Sequence, residues 1–362
     1  MNVRRFSRKE FMGLAAGGTL GLAGLPRIGG GIEASGKHEI RRRSLVVVGS
    51  APLLSPDRGM DAFRDAILAV SESGAHAVVV PVAREPETPE AAFRNLVRLH
   101  ESITALSDLV RLVAGPADLA DLATEGRLGI LPQLCGMTLA PGGDPEDALA
   151  AAAGLRGLGI AVVQPVHNWK NLHGDGRYSR VDQRLTATGR RMVGSLNAAG
   201  MLLDLSGMGL QSSLHAMQIT ERPVVFTNSN VARVQPHPGN LNDAQIDACA
   251  ETNGLIAISA MPLMVSDSVR PSLEEFLRHV DYVADRVGVD HVAIGLDFDD
   301  RPRRRFPSDP LPEPPYHYPP ELSRTRGLDG LRSSLIARGF SAADASKILG
   351  GNFQRVMLET WT

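Results

Sequence analysis

The sequence predicts an α/β fold, a parallel (β/α)8 barrel of the TIM type, on three observations. Short, continuous apolar runs alternate with helical patterns along almost the whole chain, as expected for parallel strands buried on both faces under a layer of helices. The chain has 362 residues, enough for one large core, and at that length a closed barrel is preferred over an open sheet. Two of the apolar runs end in small polar clusters, and the carboxyl ends of barrel strands are where such folds carry their sites.

Composition narrows the function classes. A formal net charge of -2 and a pI near 6.6 give no electrostatic case for nucleic acid. The two cysteines, Cys135 and Cys249, lie on unrelated segments. They read as packed thiols rather than as a disulfide or a Cys-rich zinc site. Aromatic content is 4%, with 37 glycines, which suits helices packed closely around a sheet. No short internal repeat is visible.

In order, the chain opens with MNVRRFSRKEFMGLAAGGTLGLAGLPRIGG. Arg4, Arg5, Arg8 and Lys9 precede a weakly apolar, Gly-rich run from Phe11 to Leu25. This is the layout of an export signal, too short and too weakly apolar for a membrane span. Ser7-Arg8-Lys9-Glu10-Phe11 resembles a twin-arginine motif with Lys in the second basic position. Residues 1–36 are therefore assigned to an export signal and linker, and 37–362 to one barrel domain working in the periplasm or outside the cell.

Ser44–Val48 (SLVVV) is the first strand run. Further runs fall near Ala77–Val82, Leu109–Val113, Leu128–Leu131, Ile160–Val163, Leu255–Ser259 and Val292–Gly295. Helical patterns fall near Met60–Ser71, Pro89–Leu106, Pro145–Leu158, Leu185–Ala198, Asp243–Thr252 and Ser272–Val287. Between them, Gly200 to Asp243 reads strand, helix, strand. Met201–Leu205 ends in Ser206-Gly207, a helical pattern covers Gln211–Thr220, and Pro223–Phe226 ends in Thr227-Asn228-Ser229. Arg301–Pro320 (RPRRRFPSDPLPEPPYHYPP) is Pro-rich and excludes regular structure. It follows a strand end, so it reads as a lid or partner-binding surface over the mouth, or as a solvated insertion. The tail, Leu328 to Thr362, reads as two helices, with Ser341 as N-cap and Gly350-Gly351 as a break.

Several separate motifs then agree. They are His167–Asn171 (HNWKN), Met201–Ser206 (MLLDLS), Asn228–Arg233 (NSNVAR), Pro238–Asp243 (PGNLND), Arg278–Gly288 (RHVDYVADRVG), Ile294–Asp299 (IGLDFD) and Ile348–Arg355 (ILGGNFQR). In order and spacing they resemble the renal, or membrane, dipeptidase family of zinc peptidases, from about Ser44 to Val356. The resemblance implies a metallo-dependent hydrolase-like barrel. Active members of the family carry two zinc ions bridged by a carboxylate and a hydroxide. Such ions lower the pKa of a bound water and polarise a scissile carbonyl, held by imidazole and carboxylate ligands.

Position by position the match fails at the expected ligands. Where the family has a His and an Asp one residue apart, this chain has Ser50 and Pro52. Leu131–Leu139 (LPQLCGMTL) contains no acid for the bridging Glu, with Gln133 or Cys135 nearest. Gly207 and Asn228 stand where the family has two further histidines, and Gly239 stands where it has the Arg that holds the substrate carboxylate. Gly and Pro have no coordinating side chain, and Ser and Asn are poor zinc ligands. No cofactor is therefore expected here, although the family uses zinc.

The resemblance leaves His167 as a substrate contact and Asp297 beside the catalytic centre. Asp297 suits a general base, but the favoured reading is that Asp297 and Asp299 hold the mouth together. For His167 a pocket contact or structural hydrogen bond is favoured over catalysis. A new metal site from His167, His173, His237 and Asp297 is a minor alternative. The expectation is thus a metal-free, dipeptidase-like binding protein, with a small peptide-like ligand beside His167, Asn228 and Gly239. Family members often dimerise, and a homodimer is the expected partner arrangement. The alternatives are an active hydrolase, with a rebuilt metal site or with Asp297 and His167 alone, and a scaffold using 301–320.

Overall fold

The computed structural model describes residues 45–84, 87–136, 145–297, 317–322 and 328–361. The export-signal assignment, Asp299 and residues 301–316 of the Pro-rich segment lie outside the described residues. Among the described residues nine strands form: β1 Val47–Ser50, β2 Ala77–Arg84, β3 Val110–Leu112, β4 Leu128–Cys135, β5 Val162–Gln164, β6 Leu202–Asp204, β7 Val224–Phe226, β8 Leu255–Ser259 and β9 Val292–Leu296. They pair in the order β2-β1-β9-β8-β7-β6-β5-β4-β3, and a further β2–β4 pairing closes eight of them into a ring. All pairings are parallel. This is the predicted TIM-type barrel. The extra run, β3, pairs with the lower part of β4 at Leu128–Ile130, while β5 takes the upper part at Gln133–Cys135.

Strand side chains alternate between the barrel interior and the helix layer, so each strand feeds two cores. Val47, Ala77, Val79, Leu131, Val162, Leu202, Val225, Leu255, Ala257 and Ala293 fill the interior. Their neighbours of opposite parity, such as Val48, Val78, Val80, Ile130, Val163, Leu203 and Ile294, pack under the helices against Phe63, Ile67, Val193, Ile246 and Val280. Burial on both faces is why the strand runs were continuously apolar.

The tail departs from the expected two helices. It forms helices Leu328–Ala337, Ala342–Ser346 and Asn352–Trp361, with a wide turn at Lys347–Gly351. Ser341 caps the second, its hydroxyl accepting from Asp344 N at 3.1 Å. Gly350 leaves helical geometry where the expected break falls, and a β-carbon there would overlap the Leu45 carbonyl. That close approach lets Phe353 insert into the interior from the amino-terminal end of the strands. Cys135 and Cys249 are both buried and unbonded. Among the described residues no helix is long and apolar enough to cross a membrane.

Candidate functional site

At the carboxyl ends of the strands the interior face turns from apolar to polar. Two residues beyond Leu131, Val162, Leu202 and Val225 stand Gln133, Gln164, Asp204 and Thr227. Asp204 is fully buried at the centre of this layer. Its Oδ2 accepts from Gln133 Nε2 at 2.6 Å and Thr227 Oγ1 at 2.7 Å. Its Oδ1 accepts from Ser206 N at 2.9 Å and Thr227 N at 3.1 Å. Burial raises the Asp204 pKa, against the lowering effect of these donors. Gln133, one of the two residues nearest the position where the resemblance expects a bridging Glu, is thereby placed inside the barrel, and Cys135 on β4 has the same parity.

His167 follows β5 and is half-buried. Its Nδ1 lies 2.6 Å from Gln164 Oε1, an acceptor, so Nδ1 carries the proton and Nε2 accepts from Asn168 Nδ2 at 3.0 Å. Gln164 Nε2 donates in turn to the Ser206 carbonyl. Burial, with the charges of Arg84 and Arg177, holds the His167 pKa down to about 3. The imidazole is neutral, and its hydrogen bonds go to Gln164 and Asn168.

Asp297 follows β9 directly and is buried, with the residue 8% exposed. Its Oδ1 accepts from Ser50 Oγ at 2.8 Å, so the first and last strands of the ring are tied at the mouth. Tyr318 OH donates to the Asp297 carbonyl at 2.8 Å. Leu296 and Asp297 have φ of 54° and 59°, the left-handed region that non-glycine residues occupy at a cost of about 1–3 kcal/mol each.

The other predicted positions spread around the same rim. Pro52 is buried in a short turn, Pro52–Leu54, and offers no donor atom. Gly207, with φ 78°, accepts at its carbonyl from Asn168 N at 3.2 Å and Arg177 N at 2.9 Å. Asn228 is half-buried, its backbone N donating to Ser206 Oγ at 3.2 Å. Gly239 faces Arg177, whose Nη1 occupies the place of a β-carbon on that glycine. Beside them opens a cleft of about 290 Å³ lined by Arg177, Met208, Leu210, His237, Gly239 and Asn242, among others.

The minor alternative of a rebuilt metal site is not assembled. His173 is fully buried, with no hydrogen bond to either ring nitrogen among the described residues. His237 Nδ1 accepts from Gly239 N at 2.9 Å. Among the described residues no three His, Cys, Asp or Glu side chains converge as a metal-holding group.

Sequence reasoning missed Asp204, Gln164, Arg84 and Arg177. Asp204 sat in the quoted MLLDLS motif and was two residues beyond an interior leucine, so strand parity could have found it. Arg84 was hidden by a bulge. Pro81 pairs with Gln133 and Ala83 with Leu134, so Val82 is skipped and Arg84 lands beside Cys135 on the interior face. Nothing in the sequence announces the approach of Arg177 to Gly239.

Comparison with known proteins agrees with this architecture. The model of the membrane dipeptidase family (Peptidase family M19) matches residues 69–362. Dipeptidase tcpJ of Claviceps purpurea is 29% identical over 211 residues, which cover 56% of this chain and 45% of that protein. Dipeptidase verJ of Clonostachys rogersoniana is 27% identical over 279 residues, 75% of this chain and 65% of that protein. The chain thus spans about half to two thirds of the length of these relatives. An amidohydrolase from Pseudomonas aeruginosa shares the fold with a TM-score of 0.78 at 22% identity, over 88% of this chain and 97% of that one. A metallopeptidase from Rhodobacter sphaeroides, solved with a phosphinate mimic of the dipeptide L-Ala-D-Ala, aligns with a TM-score of 0.74 at 21% identity, over 88% of this chain and 99% of that one. With the family model matched over most of its length, and a closed parallel barrel carrying its polar layer at the strand ends, the chain belongs to the membrane dipeptidase family.

Proposed function

We propose that this chain is a dipeptidase-family barrel that binds a small peptide-like ligand without the family's pair of zinc ions. The observation that carries the reading is the donor set at the mouth. Ser50, Pro52, Gln133, Gly207 and Asn228 supply hydroxyl, carboxamide or no side-chain atoms where the family needs imidazole and carboxylate. Two divalent cations need several anionic or imidazole ligands, so these residues do not fit the zinc pair. The carboxylates that remain are engaged, Asp204 by three residues and Asp297 by Ser50. The neutral His167 and the half-buried Asn228 supply polar contacts of the kind a peptide group uses. A peptide-like ligand is supported by the dipeptidase names of the relatives and by the dipeptide mimic bound to the Rhodobacter metallopeptidase. The basic, Gly-rich N-terminus supports export by a twin-arginine-like route.

Metal content tests the reading. Protein purified from its own export route, without added zinc, is expected to carry only background metal by mass spectrometry. EDTA is expected to leave its melting temperature unchanged, because no ion contributes to the folded state. Stoichiometric metal, with a drop in Tm on chelation, would overturn it.

A second reading, metal-free hydrolysis at Asp297, is favoured by one observation, the left-handed backbone at Leu296–Asp297. It requires dipeptide turnover that Asp297→Ala abolishes. A neutral His167 bonded to Gln164 leaves Asp297 as its base.

A further inference from the structure

We propose that the outer face shared by the loop after β5 and the helices Ala187–Ala198 and Leu210–Ile219 docks on an anionic phospholipid surface. Its charge is one-sided. Between His167 and Ile219 the chain has the carboxylates Asp175, Asp182 and Asp204, and all three are turned to the protein. Asp204 is sealed in the barrel. Asp175 is buried, accepts from Gln183 N at 2.9 Å and lies 3.4 Å from Lys170 Nζ. Asp182 accepts at the start of helix Leu210–Ile219 from Gln211 N, Ser212 N and Ser212 Oγ, at 2.5–3.1 Å. The arginines of the same stretch meet only neutral groups among the described residues. Arg184 Nη2 donates to Gln218 Oε1 at 3.3 Å, Arg190 Nη1 to the Leu185 carbonyl at 3.4 Å and Arg191 Nη2 to Thr188 Oγ1 at 3.2 Å. Arg180, Arg184 and Arg190 are exposed. Their charge therefore faces outward without a carboxylate to offset it.

These cations are gathered on one face. Arg184 reaches Gln218 on the second helix, and Arg190 stands in the first turn of the other. Burial, then the charges of Arg184 and Arg190, lowers the His215 pKa, so both guanidinium groups lie near that ring. Asp182 fixes the adjoining Arg180-Val181 to the start of helix Leu210–Ile219. Leu172 is held at the start of helix Ala187–Ala198, its carbonyl accepting from Thr186 Oγ1 at 2.5 Å. Val181 and Leu172 are the two most exposed large apolar side chains among the described residues, at 64% and 53%. Exposed apolar tips set among unneutralised cations are the pattern of an interfacial surface, where the tips enter the headgroup layer and the cations meet lipid phosphates. An acidic polypeptide would answer the charges and leave Val181 and Leu172 in water, whereas an anionic bilayer takes up both. None of Leu172, Arg180, Val181, Arg184 and Arg190 lines the cleft beside Gly239.

Co-sedimentation with unilamellar vesicles tests this, using phosphatidylcholine alone and equal parts of phosphatidylcholine and phosphatidylglycerol. Protein purified from its own export route is expected to partition onto the anionic vesicles at least about tenfold more strongly than onto the neutral ones. Added salt is expected to shrink that excess, because it screens the arginine charges. The double variant Arg184→Glu, Arg190→Glu is expected to lose at least about tenfold on the anionic vesicles, and Val181→Asp about threefold. All three positions are exposed, so thermal melts of the variants are expected to match the wild type. Equal partition onto both vesicles, partition indifferent to salt, or none onto the anionic vesicles would overturn the proposal without needing any variant to fold. Unchanged partition in the double variant would overturn it too, placing the contact on another segment. Binding of soluble polyglutamate in preference to the anionic vesicles would assign the face to an acidic polypeptide instead.

Discussion

Asp204→Ala is expected to destabilise the protein by about 3–5 kcal/mol, the range for removing one partner from a buried charged network. The carboxylate is fully buried and accepts from Gln133 Nε2, Thr227 Oγ1, Thr227 N and Ser206 N. Without it, four donors on three strands or strand ends lose their acceptor inside a sealed layer. Their desolvation is no longer compensated, because a water entering the cavity can accept from only two of the four donors. Asp204→Asn keeps the shape but turns one acceptor into a donor that opposes Gln133 or Thr227, so a smaller loss of about 1–3 kcal/mol is expected. Urea melts of the two variants check this. A loss below about 1 kcal/mol for Asp204→Ala would mean that the network contributes little beyond its packing.

Stability is expected to be greatest above about pH 6.5 and to fall steeply between there and pH 4. Burial lowers the pKa of His173 and of His279 to about 4. An unfolded chain protonates these imidazoles near pH 6.5, so through this window the unfolded state binds more protons and acid favours it. The geometry explains the resistance to charge. His173 is fully buried, and its ring has no hydrogen bond among the described residues that would stabilise an imidazolium. His279 accepts at Nδ1 from Val231 N at 3.1 Å, and its Nε2 donates to the Val265 carbonyl at 2.9 Å. A proton on Nδ1 would break the first of these. Each group contributes about 1.4 kcal/mol per pH unit in the window, so together they remove on the order of 4 kcal/mol by pH 5. Asp204 works with the opposite sign. Its raised pKa makes the folded state the better proton acceptor, which offsets part of the loss at the acid end. Urea melts across pH 7 to 5 check the prediction. A flat profile would refute it, and His279→Gln, which keeps a donor and an acceptor, is expected to reduce the slope by about a third, since the depressed pKa of His167 adds to the slope with the same sign.

Much of the barrel was legible in the chain, for a local reason. A strand buried on both faces must be apolar at every position, and a helix packed on a sheet must be apolar at helical spacing, so each element announces itself within a dozen residues. The run Leu255–Ser259 coincides with β8, and Asp243–Thr252 differs from its helix by one residue. The exception, β3, has the same signature as the ring strands. It is set apart only because β5 takes the upper half of the same edge of β4.

The site was legible in part. Residue types at the strand ends were readable one by one, so Ser50, Pro52, Gly207, Asn228 and Gly239 could be named at the positions where the resemblance expects ligands or an Arg. Gln133 could not be separated from Cys135, because both have interior parity and only closure of the ring shows which one meets Asp204. Arg84 was missed because a single-residue bulge reverses strand parity beyond it.

What the sequence determined by itself was the order of strands and helices and the chemistry standing at each strand end, since both follow from residues near in the chain. Only the tertiary structure decided which of those groups meet. Gln133 and Asp204 are 71 residues apart, and Ser50 and Asp297 are 247 apart. Their pairing depends on how the ring closes and how far its strands are staggered, a property of all eight strands together. The path of the loop after β5 then carries Arg177 into the space left open by Gly239.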